Sequence, residues 1–240
     1  MQNSMNTYQQ IQSRIQNGSV AQFMSKVYLW MVLGLSLSAS VAYYLFSHSE
    51  VFYKITHTPG LFFCLIIAQL SAVIGLTSIN KKLTAAIATL VYILYTILTG
   101  ITLSVILFTY TKQNIFDAFA VTSVAFLGLS VFGYTTKRDL GPLGTFCVMG
   151  LFGMVGIFLL AFFLPSLYLN TVQLTIAAIG VIVFSGLTAY DTQRIKCTYF
   201  QTNGDFMENQ QQKVTINSAL MLYLDFINLF LNLLRLFSRR

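Results

Sequence analysis

Seven continuous apolar runs dominate this chain, each close to the ~20 residues an α-helix needs to cross a hydrocarbon core. They fall at 27–46, 60–79, 85–108, 115–134, 143–164, 172–190 and 214–237. Runs of this kind leave few folds open. They are unbroken rather than alternating, which argues against a transmembrane β-barrel. Only 9% of the residues are charged. A soluble domain carries about 25%, so a water-exposed surface cannot be built and a soluble enzyme is excluded. The 21 Phe and 13 Tyr exclude disorder. The net charge of +7 is spread over short loops and makes no basic face with interleaved aromatics, which excludes nucleic-acid binding. The sequence predicts an all-α membrane protein with seven transmembrane helices.

The breaks between runs carry turn chemistry. Thr58-Pro59-Gly60 opens the second run with Pro near the first helical position. Asp139-Leu140-Gly141-Pro142 separates the fourth and fifth, and Pro165 stops the fifth. Residues 1–26 are rich in Gln, Asn and Ser and lack the basic start and A-x-A site of a signal peptide. They are expected to form a polar cytoplasmic tail, with 27–240 as one membrane domain.

Lys and Arg accumulate on the cytoplasmic side of membrane proteins. With the N-terminus inside, the inner segments carry nine: Arg14, Lys26, Lys81, Lys82, Lys137, Arg138, Arg194, Lys196 and Lys213. The outer loops carry two, Lys54 and Lys112. The last run conflicts with this rule, because a full crossing puts Arg235, Arg239 and Arg240 outside. A full crossing is expected from its length, with a re-entrant last helix after six spans as the alternative.

Little in the sequence supports bond-making chemistry. Both histidines, His48 and His57, fall in one outer loop, and no H-E-x-x-H, C-x-x-C or phosphate-binding loop is present. No enzymatic activity and no resident cofactor are expected. The carboxylates are more informative. Glu50, Asp117, Asp139, Asp205 and Glu208 sit in loops or at helix ends, whereas Asp191 and Asp225 adjoin or interrupt apolar helices. A carboxylate at membrane depth is costly and points to function by default.

At 100° per residue, Ser218, Asp225, Asn228, Asn232 and Arg235 fall on about a third of the last helix's circumference. This polar stripe must face protein or water, so the last helix is expected at the centre of the bundle. Asp191 is expected at the inner end of the sixth helix. Tilt, or extension of that helix past Asp191, is needed for it to reach Asp225. If the two meet, they share one proton, because like charges in contact cannot both ionise. Arg194, one turn on, is an alternative partner for Asp191.

Three stretches together carry a resemblance: Gly133-Tyr134-Thr135-Thr136-Lys137-Arg138-Asp139-Leu140, Phe184-Ser185-Gly186-Leu187-Thr188-Ala189-Tyr190-Asp191-Thr192-Gln193-Arg194-Ile195-Lys196, and Leu222-Tyr223-Leu224-Asp225-Phe226-Ile227-Asn228-Leu229-Phe230. With Gly100-Ile101-Thr102-Leu103, they resemble the Bax inhibitor-1 family over about residues 20–240. The resemblance implies seven helices with the last at the centre, in a bacterial inner membrane. It implies a pH-sensitive calcium leak gated by an aspartate latch, which residue by residue is Asp191 and Asp225. Ca²⁺ and protons would then be its partners alongside the lipid bilayer. The bacterial branch also includes modulators of an ATP-dependent membrane protease, an alternative function that the polar N-terminal tail fits. Some relatives pair an Arg after the second helix with an aspartate. Here Ser78-Ile79-Asn80-Lys81-Lys82 has no Arg, and Lys82 is the nearest substitute.

Overall fold

A computed structural model describes residues 2–48, 60, 64–65, 67–69, 71–73, 84–161, 170–201 and 208–238, with side chains from residue 19 onward except at 161, 170, 201, 208 and 209. Six long helices account for most of them: α1 (Gln2–Ser47), α2 (Ala85–Thr109), α3 (Lys112–Thr135), α4 (Gly141–Ala161), α5 (Asn170–Gln201) and α6 (Glu208–Phe237). Each contains a stretch long and apolar enough to cross a membrane. Most of the run at 60–79 lies outside the described residues. Its described pieces at 64–65, 67–69 and 71–73 are helical, and Gln69 donates to the Thr102 hydroxyl of α2 at 3.3 Å.

Local chemistry starts and stops these helices. The Thr84 hydroxyl accepts from Ile87 N at 3.4 Å to cap α2, and Thr111 accepts from Asn114 N at 3.3 Å to cap α3. At α4, the Asp139 carboxylate accepts from Gly141 N at 2.8 Å, with Pro142 in the first turn. Within the bundle, Thr122, Thr188 and Thr192 donate to carbonyls one turn back at 2.6–2.8 Å. Their hydroxyls are thereby satisfied without water.

Two helices exceed the spans expected from hydropathy. α1 runs unbroken through the boundary at 26/27, because Val20, Phe23, Met24 and Val27 share one buried face at helical spacing. α5 continues past Tyr190 to Gln201, with Ile195 and Tyr199 buried one and two turns beyond Asp191. The Tyr199 ring lies 5.0 Å from that of Phe23, joining the extension to α1.

The contacts also fix direction. Tyr92 donates to the Trp30 carbonyl at 2.8 Å, Ser38 to the Thr96 carbonyl at 2.7 Å, and the Phe46 and Phe108 rings are 4.9 Å apart. Residue numbers on α1 and α2 rise together, so the two helices are parallel. α6 is one continuous helix, about 45 Å long at 1.5 Å per residue. It packs on α1, α2, α3 and α5, and among the described helices it is the central one. α4 packs on α5 at the edge. Large apolar side chains such as Phe152, Phe158 and Val124 point outward, as a lipid-facing surface requires.

Candidate functional site: a buried carboxyl pair

The extension of α5 is what brings the two aspartates together. Asp191 is not at a helix end but ten residues short of one, and both it and Asp225 are buried. Their carboxyl groups are hydrogen-bond partners. A carboxylate only accepts, so this contact requires a proton on one of the two. Asp225 Oδ2 is buried and accepts from no N–H or O–H donor among the described residues.

Close backbone approach sets the position of Asp191. A Cβ on Gly133 of α3 would strike the Ala189 carbonyl, and one on Gly144 of α4 would strike the Tyr190 ring. The two residues before Asp191 are therefore held against glycines on facing helices. Asp225 is held in rotation about α6 by aromatic contacts on either side. The Tyr223 ring meets Tyr92 and Tyr95 edge-on, and its hydroxyl is 2.7 Å from that of Ser38. Phe226 meets Phe119 and Phe126 edge-on. α6 thus carries a hydroxyl contact toward α1 and α2 and the carboxyl contact toward α5.

The other expected site residues divide. Ser218 is buried, Asn228 and Asn232 are half-buried, and Arg235 is exposed in the last turn. The Asn228 and Asn232 amides donate to the carbonyls of Leu224 and Asn228 at 2.8 and 2.7 Å. Asn232 also fills the space left by Gly180 of α5. The stripe therefore faces α5 over part of its length and then emerges. Arg194 is exposed and acts on Asp191 through space, with no ion pair between them. Lys82 lies outside the described residues.

Three contributors escaped the sequence reading. Cys147 of α4 is buried against Gly186 and lies within electrostatic reach of Asp225. Lys196 donates to the Tyr134 carbonyl at 2.7 Å, with its ammonium 4.7 Å from that ring's centroid. Gln193 accepts from Leu140 N at 2.9 Å and donates to the Arg138 carbonyl at 2.8 Å. The sequence signal for the last two was their spacing from Asp191 on one helix, but nothing local named their partners. Among the described residues no group of three or more His, Cys, Asp or Glu stands together to hold a metal.

Fold and site together define a polytopic helical membrane protein whose central last helix contributes half of a buried carboxyl pair. Residues 20–240 match the family described as "Inhibitor of apoptosis-promoting Bax1". The chain belongs to this family, the Bax inhibitor-1 family. Inner membrane protein YbhL of Escherichia coli K12 is 45% identical over 91% of this chain and 92% of its own length. A Borreliella burgdorferi protein is 37% identical over 91% of this chain and 92% of its own. Protein RP147 of Rickettsia prowazekii is 34% identical over 91% and 90%.

Proposed function

We propose that this protein is a pH-sensitive cation leak, with Ca²⁺ as the permeant ion, latched by Asp191 and Asp225. The observation that carries this reading is the contact between two buried carboxyls from adjacent helices, with no N–H or O–H donor on Asp225 Oδ2 among the described residues. The shared proton ties α5 to α6. Losing it leaves two anions in contact, and a second proton removes the charge-assisted bond, so the tie depends on pH in both directions. Ca²⁺ takes six to eight oxygen ligands, and two carboxylates with water make a weak site, suited to passage rather than storage.

By name, the E. coli relative is an inner membrane protein. We place this chain likewise in a bacterial inner membrane, with the N-terminus cytoplasmic by its charge asymmetry. The parallel run of α1 and α2 supports a return crossing between them, giving seven spans with the C-terminus outside. No enzymatic step and no resident cofactor form part of this reading.

The test is Ca²⁺ flux into proteoliposomes at stepped pH. Wild type should show a pH-dependent rate, and Asp191→Asn and Asp225→Asn should each flatten it, because one carboxyl and one amide have no proton to share. Undiminished pH dependence in both variants would remove the pair from the mechanism. A second reading, restraint of a membrane-bound ATP-dependent protease, is favoured by one observation: α1 is helical from Gln2, well ahead of its apolar stretch at Ser19. Deleting residues 2–18 should then change that protease's activity in cells while leaving Ca²⁺ flux intact.

A further inference from the structure

At the end of the bundle opposite the cluster of basic residues, a groove of about 440 Å³ opens between α1, α2 and α3. That volume lies in the range of cavities that bind small ligands. Its walls are formed by apolar side chains such as Ala39, Leu103 and Phe119, and its floor is Phe226 and Phe230 of the central helix. Tyr43 and Phe116 border it and are 69% and 67% exposed, so the groove opens sideways toward the bilayer rather than along the bundle axis. The one charged group on its lining is Lys112, in the first turn of α3.

Lys112 is unusual in two respects. It is one of only two basic residues in the outer loops expected from charge, so the orientation rule does not account for it. Among the described residues it forms no ion pair, and an oxygen of the nearby Asp117 carboxylate accepts instead from Gln113 at 2.8 Å. A lone ammonium at the interface, at the end of an apolar channel open to lipid, complements a molecule with an anionic head and a hydrocarbon tail.

We propose that the groove between α1, α2 and α3 binds one acyl chain of an anionic phospholipid, whose phosphate sits on Lys112. The occupant lies against Phe226 and Phe230 of α6, the first of which adjoins Asp225. The site does not depend on ion flux, and its test reads none.

A single tryptophan can report on it. The native Trp30 is replaced by Phe, and Phe116→Trp puts the probe at the groove's exposed mouth. The protein is reconstituted in vesicles of equal phosphatidylglycerol and phosphatidylcholine, with one or the other brominated. Brominated phosphatidylglycerol should quench as though enriched about fivefold at the probe, the preference one lysine at a membrane surface provides. Adding Lys112→Gln should bring the two lipids to parity. Ala39→Phe, which fills the channel, should do the same while Lys112 remains. Equal quenching by both lipids before these changes overturns the proposal, as does a preference that survives Lys112→Gln. Photo-crosslinking from position 116 that yields a dimer rather than a lipid adduct also overturns it, by assigning the groove to a second copy.

Discussion

Gly133 shows how much a single position can decide in a bundle packed through small residues. The Ala189 carbonyl of α5 occupies the space where its Cβ would be, whereas Gly128, on the same helix, has nothing within 4 Å of that position. Gly133→Ala must push α3 off α5, and overpacking of this kind costs about 1–3 kcal/mol. Gly128→Ala should be neutral or slightly stabilising, since Ala is the better helix former. Thermal unfolding in detergent, followed by Trp30 emission, separates the two. Equal midpoints would mean that α3 and α5 do not pack as closely as described. The residue scale is also where the sequence was most and least legible. Asp191 and Asp225 stand out because so few charges surround them. Gly133, Gly186 and Cys147 do not, because a helical wheel gives a side chain's bearing but not the helix it meets.

At the scale of elements, the C-terminal third of α5 acts as a clamp. Lys196 satisfies a carbonyl at the C-terminus of α3, where four such groups lack helical partners and the helix dipole favours a cation. One turn closer to Asp191, Gln193 holds both sides of the turn between α3 and α4. Lys196→Met keeps the stem and removes the donor, and should cost about 1 kcal/mol. Gln193→Leu leaves Leu140 N without its acceptor, so hydrogen exchange at that amide should accelerate while amides in mid-α3 are unchanged. Unchanged exchange at Leu140 would show that the turn holds itself. Hydropathy ended this helix at 190 because Asp191, Gln193, Arg194 and Lys196 follow. Hydropathy measures what lies in the bilayer, not how far the helix continues in water, and Ile195 and Tyr199 are too few to register as a run. The same limit hid the continuity of α1 across residue 26.

For the whole molecule, two arguments about the C-terminus compete. The charge rule prefers Arg235, Arg239 and Arg240 inside, which a re-entrant α6 would satisfy. Packing gives the opposite answer. Tyr223 meets Ser38 midway along the bundle, and Phe230 reaches the groove bordered by Tyr43 and Lys112. The helix therefore runs alongside the apolar stretch of α1, Ser19–Ser47, and toward the same end. Late helices are oriented by the bundle they insert into more than by their flanking charge, so packing should prevail. Cysteine labelling tests this directly. Cys197 is exposed near the C-terminal end of α5, Cys147 is buried, and Cys64 can be replaced by Ala. In sealed spheroplasts, a membrane-impermeant maleimide should leave Cys197 unmodified and label a Ser238→Cys variant in which Cys197 is also Ala. Inverted vesicles should exchange the two results. Labelling of both sites from the same side would mean that α6 turns back within the membrane. It could not then present Tyr223 to α1 and Asp225 to α5 from a single straight helix, and the carboxyl pair would have to form some other way.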